Sequence, residues 1–154
     1  MNKKTECKTD DEEECLPEFC FNGKKLILTD KEWKQRLTPE QYNVLREGGT
    51  EAPFENEYAE STADGIYVCA GCSLPLYRSS TKYHSGSGWP SFWEPINLEN
   101  ISYREDDDLS MTRIEVLCSR CGGHLGHVFD DGPPPTGKRY CMNSAALKFV
   151  PKIT

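Results

Sequence analysis

Two Cys-x-x-Cys pairs, Cys69/Cys72 and Cys118/Cys121, constrain this chain more than any other feature. Each pair ends an apolar run, through Val68 in one case and Leu117 in the other, and each is followed by small residues. A gap of two residues lets a tight turn aim both sulfurs at one ion, at roughly 2.3 Å, and four thiolates complete a tetrahedral zinc site. Such a site is closed, with no position for water or substrate, so its part is architectural. Cys72 and Cys118 have 45 residues between them, so one zinc per chain would staple two distant hairpins. A redox-active dithiol is the competing reading of either pair. The sequence around them lacks the βαβ pattern of a thioredoxin-like domain, which favours metal.

The chain has 154 residues, the size of one domain. Its apolar content of 36% is modest, so a structural metal would supplement the core. Eight cysteines also suit a secreted disulfide framework. Against that, no apolar stretch follows Met1-Asn-Lys-Lys4, and half the cysteines have metal spacing. The expected compartment is a reducing cytoplasm. A net charge of −7 and a pI near 5.0 argue against a nucleic-acid partner. No run approaches the roughly 18 apolar residues of a membrane span. No feature demands an obligate dimer, so a monomer is expected.

Residues 1–22 read as an acidic, weakly ordered tail, since Asp10 to Glu14 is an unbroken carboxylate run. Residues 23–154 read as the folded domain. Thr29-Asp-Lys-Glu32 fits a capping box, with Trp33 and Leu37 on one helical face. Thr38-Pro-Glu-Gln41 opens a second helix that ends at Gly48 or Gly49. Beyond residue 65 the signals turn to strands. Ile66–Val68 leads into the first pair. Thr112, Ile114 and Val116 alternate with Arg113, Glu115 and Leu117, the pattern of a half-buried strand leading into the second. Ala145–Val150 reads as a last strand closed by Pro151. The layout is short helices followed by an antiparallel β domain.

With four sulfurs committed to metal, chemistry falls to other residues. A lone cysteine is most often a small buried hydrophobe. Cys141, however, follows Lys138 and Arg139, whose charges would favour a thiolate, and in a strand it would share a face with Asn143. Gly123-His-Leu-Gly-His-Val-Phe129 leads straight out of the second pair, so the metal would position it. Its glycines argue against a regular helix, which favours a proton-transfer role for His124 or His127 over packing. In Gly86-Ser-Gly-Trp-Pro-Ser-Phe92, Trp89 between glycine and proline suits a pocket wall, whereas Trp33 and Trp93 read as packing residues.

Taken together these clusters resemble the methionine-R-sulfoxide reductases. The matching runs are Gly88-Trp-Pro-Ser-Phe92, Gly123-His-Leu-Gly-His-Val-Phe129, Asp131-Gly-Pro133 and Arg139-Tyr-Cys-Met-Asn-Ser144. Leu37-Thr-Pro-Glu-Gln-Tyr42 and Gly49-Thr-Glu-Ala-Pro-Phe54 match as well, so the likeness spans about residues 28 to 150. It implies a mainly β fold of twisted antiparallel sheets, tent- or barrel-like, with short N-terminal helices and a structural zinc. It implies reduction of oxidised methionine in proteins, with thioredoxin as electron donor. Cys141 would attack the sulfoxide sulfur, with His127 the first choice of acid and His124, Asn143 and Arg139 assisting. Trp89 would hold the substrate methyl. The sulfenic acid left on Cys141 would condense with a second thiol. Many members carry that recycling cysteine where this chain has Ser87. Among Cys7, Cys15 and Cys20, Cys20 is then the first candidate and Cys15 the second.

Two other functions compete. A non-catalytic zinc-ribbon interaction module explains the pairs but leaves Cys141, the histidines and Trp89 without a task. A zinc hydrolase using His124 or His127 as ligands needs an open coordination position, which four cysteines do not leave.

Overall fold

The structure, a computed structural model, describes residues 21–106 and 113–152. The acidic run from Asp10 to Glu14 lies outside them. Helix α1 (Asp30–Arg36) starts on the expected capping box: Thr29 Oγ1 accepts from the Glu32 amide, and Glu32 Oε1 accepts from the Thr29 amide. Helix α2 (Pro39–Glu47) repeats the device with Thr38 and Gln41. Each cap stabilises its short helix by about 1 kcal/mol. Gly48, at φ 73° and ψ 20°, ends α2 in the left-handed region, which glycine enters without steric cost. Trp33, Leu37, Val44 and Leu45 face inward and are buried. Trp33 is thus core, with the Arg46 guanidinium 4.6 Å from its ring centre. Arg36 Nε donates to Gly71 O and Arg46 Nη1 to Cys121 O, both at 2.8 Å. Each helix therefore grips one of the cysteine turns.

The strands are β1 (Gly65–Cys69), β2 (Pro75–Arg78), β3 (Lys82–Tyr83), β4 (Ser91–Phe92), β5 (Ile101–Asp106), β6 (Arg113–Cys118), β7 (His124–Phe129), β8 (Arg139–Met142) and β9 (Leu147–Pro151). They form two antiparallel sheets, ordered β2-β1-β9 and β3-β4-β8-β7-β6-β5. The expected mainly β architecture with short N-terminal helices is what the chain adopts. An aromatic cluster joins the sheets: Tyr77 of β2 stacks on Phe92 of β4 at 4.4 Å, and Tyr67 of β1 meets the same ring edge-on at 5.3 Å. Such pairs add about 0.5–1.5 kcal/mol each beyond the area they bury. No helix among the described residues is long and apolar enough to cross a membrane.

Register across the larger sheet decides what meets what. Directly opposed residues run Tyr83, Ser91, Cys141, His127, Glu115, Arg104, one from each strand. Opposed residues of antiparallel strands share a face, so this row is polar and reactive on one side of the sheet. The neighbouring row, through Phe92, Tyr140 and Val128, turns the other way. Between Val116 and Leu117 the pairing slips, because Val116 opposes Gly126 while Leu117 opposes His124. Leu125 is the extra residue of a β-bulge. Residues three apart in a strand normally point to opposite faces; the bulge restores His124 to the face of His127.

The structure corrects three expectations. Glu115 does not alternate outward but is buried, because it carries two hydrogen-bonded partners described below. Asn143 lies just past β8, at the N-terminal end of a short 3-10 turn, Ser144–Ala146, instead of continuing the strand with Cys141. The last strand begins at Leu147, after that turn, and includes Pro151 as its final residue.

Candidate active site and metal centre

Cys69, Cys72, Cys118 and Cys121 are buried, and their sulfurs all lie within 4.8 Å of one another. Cys69 Sγ is 3.6 Å from Cys121 Sγ, and Cys72 Sγ is 3.4 Å from Cys118 Sγ, so each close pair joins one turn to the other. A regular tetrahedron with ~2.3 Å metal–sulfur bonds has edges of about 3.8 Å, and the cluster fits it. The Gly71 amide donates to Cys69 Sγ at 3.3 Å, a bond that suits a thiolate. The donor set is that of a closed structural site. It ties β1 of the small sheet to the β6–β7 hairpin of the large one.

A cavity of about 300 Å³ lies over the reactive row. Cys141, His127, Asn143, Trp89 and Arg139 all line it; His124 does not. Burial pushes the Cys141 thiol up from its ordinary value. The Arg139 guanidinium and the Ser87 hydroxyl oppose that rise, and Glu51 adds to it. This corrects the expectation that Lys138 and Arg139 together favour the thiolate. The Lys138 ammonium is exposed and pairs with Asp130 at 2.7 Å. Arg139 alone bears on the thiol, while its guanidinium binds both oxygens of Asp131 (2.8 and 3.2 Å).

Both histidines are held by carboxylates. His127 Nε2 is 2.9 Å from Asp106 Oδ2, and Asp106 also pairs with Arg113 at 3.3 Å. His124 Nδ1 donates to Glu115 Oε2 at 2.5 Å, while Arg104 holds the other Glu115 oxygen at 2.9 Å. Burial lowers the His124 pKa against the pull of Glu115, so the ring is held towards neutrality. Its Nε2 is buried without a partner among the described residues. The two rings stand 5.4 Å apart, edge to face. His124 is thus a buried neighbour of His127, set behind the cavity.

Asn143 is buried, with Nδ2 donating to Leu125 O at 3.1 Å. The Trp89 indole N–H donates to Glu51 O at 3.0 Å. Ser87, which lines the cavity beside Cys141, has its Oγ 2.8 Å from Ser85 Oγ, which is 2.8 Å from Ser91 Oγ. Cys7, Cys15 and Cys20 lie outside the described residues. A larger cleft of about 490 Å³ lies elsewhere, but no cysteine lines it, and the Lys82 ammonium there is engaged by the Ala59 and Ser61 carbonyls.

Sequence reasoning missed Glu51, Glu115, Asp106 and the serine chain. Glu51 stands inside a run that matched the reductases, and that was the only signal for it. Glu115 was hidden by its place in an alternating strand, where a carboxylate reads as solvated.

One cavity thiol, flanked by a guanidinium and a carboxylate-held histidine and kept apart from a closed four-sulfur cluster, defines a domain built for cysteine chemistry. A family model described as SelR domain matches residues 37–151. The peptide methionine sulfoxide reductase MsrB of Thiobacillus denitrificans is 56% identical over 124 residues, 80% of this chain and 94% of that protein. That of Methanosarcina barkeri is 54% identical over 126 residues, 82% of this chain and 89% of its own. Methionine-R-sulfoxide reductase B3, mitochondrial, of Mus musculus is 53% identical over 127 residues, 82% of this chain and 50% of its own. The chain belongs to this family, the B-type methionine-R-sulfoxide reductases.

Proposed function

We propose that this chain reduces methionine-(R)-sulfoxide in proteins to methionine, using Cys141 as nucleophile. The observation that carries the reading is the single cavity in which Cys141, His127, Trp89 and Asn143 meet. The Cys141 thiolate attacks the electrophilic sulfoxide sulfur. His127, fixed by Asp106, gives a proton to the oxygen, which makes it a competent leaving group. The oxygen then moves from the substrate sulfur to the Cys141 sulfur; the substrate's sulfur–oxygen bond and the new sulfur–sulfur bond both break, leaving Cys141 as a sulfenic acid and releasing methionine with two electrons gained. Trp89 holds the terminal methyl against its indole. Asn143 and Arg139 position the sulfoxide and the thiolate, and His124 supports His127 from behind.

A second thiol then condenses with the sulfenic acid, releasing water and leaving a disulfide, and exchange with thioredoxin restores the thiol. Ser87 occupies the place beside Cys141 and cannot form that disulfide. We assign recycling to Cys20 first and Cys15 second. Loss of the intramolecular disulfide in Cys20→Ser supports the assignment; its persistence with full thioredoxin-dependent turnover overturns it. The four-cysteine cluster holds one zinc, which soft thiolates in tetrahedral array select. The chain works as a monomer in a reducing cytoplasm.

The test uses separated R and S epimers of a blocked methionine sulfoxide with thioredoxin. The parental protein should turn over R alone, and Cys141→Ser should lose all turnover while keeping its zinc. Turnover that survives in Cys141→Ser would overturn the assignment.

A further inference from the structure

We propose that Glu51 is the positioning residue of this cavity, setting Trp89, Asn143 and the backbone beyond Cys141 in one arrangement. The inference rests on the reductase reading and adds a residue to it. Glu51 is only 9% exposed and belongs to the loop that follows α2, far in sequence from the residues it holds. Each of its polar groups is spent on a different part of the site. Its amide donates to Asn143 Oδ1 at 3.1 Å. Its carbonyl accepts the Trp89 indole N–H at 3.0 Å. Its carboxylate accepts the backbone amides of Ser144 and of Ala145, the latter at 2.9 Å.

The last contact explains an oddity of the 3-10 turn Ser144–Ala146. Asn143 stands at its N-cap yet makes no side-chain cap bond. An asparagine there would ordinarily satisfy the exposed amides itself. Its side chain is committed instead to Leu125 O and the Glu51 amide. Glu51 supplies the missing cap from across the fold, which frees Asn143 to face the cavity. The Glu51 amide also settles the orientation of Asn143: Oδ1 meets a donor and Nδ2 a carbonyl.

The sign of the charge argues for geometry over electrostatic activation. A carboxylate beside a nucleophilic thiol works against the thiolate, and Glu51 does raise the Cys141 pKa, with Arg139 the opposing charge. Burial pushes the Glu51 carboxyl up, with Glu40 adding to the rise, and the Ser144 and Ala145 amides pull it back. A charge that disfavours the reactive form has its use in what it ties together.

The experiment uses the full-length, zinc-loaded chain with Glu51→Gln and Glu51→Asp. Glutamine has the shape but offers one acceptor oxygen for two amides; aspartate keeps the charge on a shorter arm. Both should lower kcat/KM for the R epimer roughly 10- to 100-fold, the scale expected for a displacement of about 1 Å in a reacting constellation. Zinc content should be unchanged. In Glu51→Gln the alkylation of Cys141 at neutral pH should become faster, because a negative charge near the thiolate is gone, while Glu51→Asp should show no such gain. A gain in Glu51→Gln with none in Glu51→Asp separates loss of the charge from general loosening, which would uncover the buried thiol in both variants. Parental kcat/KM in both variants, or alkylation that slows in step with turnover, would overturn the proposal. Absence of R-epimer turnover in the parental protein would instead strike the reductase reading.

Discussion

Cys141 sits in a cavity that works against its own ionisation. Burial disfavours the thiolate, and Arg139 is the largest influence in its favour. The thiolate fraction should therefore climb with pH beyond the ordinary thiol range near about 8.5. Replacing Arg139 with glutamine removes the favourable charge and should move the alkylation midpoint of Cys141 further up, slowing alkylation several-fold at neutral pH. Iodoacetamide rates across pH would measure it. An unmoved midpoint would mean that Asp131, bound to two of the Arg139 nitrogens, already cancels the guanidinium at the thiol. Cys141, Trp89 and His127 stand out in the sequence because each is chemically conspicuous within a short run, and the fold brings the three to one cavity. The identity of the group that offsets burial was not, since Lys138 and Arg139 look alike in sequence and only one turns inward.

At the scale of elements, β7 carries the largest burden. Its bulge at Leu125 brings both histidines to one face, and its Gly126 lets β8 approach closely. A Cβ built on Gly126 would stand 2.0 Å from the Cys141 carbonyl oxygen and 2.9 Å from Met142 Cα. Gly126→Ala must push β7 and β8 apart, and should cost about 1–3 kcal/mol of stability, as overpacking does. It should lower turnover too, because His127 opposes Cys141 across the same pair of strands. Urea unfolding would show the loss; an unchanged midpoint would mean that the two strands have room to spread. The helices behaved as their caps foretold, since a capping box is written in four consecutive residues. The strand into Cys118 did not, because its alternation says nothing of Arg104 and His124, which draw Glu115 inside.

For the whole molecule, the four-sulfur cluster joins two sheets that otherwise meet through the aromatic cluster and the helices. Stripping the proposed zinc with a strong chelator should expose four titratable thiols and destabilise the fold by several kcal/mol. At about 2–4 °C per kcal/mol for a chain of this length, the melting temperature should fall by roughly 10 °C or more. Calorimetry with and without chelator, beside a thiol count, would decide it. A melt indifferent to chelator would show that the sheets hold together through their apolar contacts alone.

By itself the sequence determined whatever depends on near neighbours: two metal-spaced turns, two capped helices, and the strands that lead into the turns. Tertiary structure decided what depends on distant partners. Only the pairing of β6 with β7 puts the two histidines on one side, and only the chain's return to residue 51 gives Asn143 its orientation, across 92 positions. The physical reason is range. Caps, turns and ligand spacings are satisfied within a few bonds, whereas register and long-distance hydrogen bonds exist only after the strands have closed on one another.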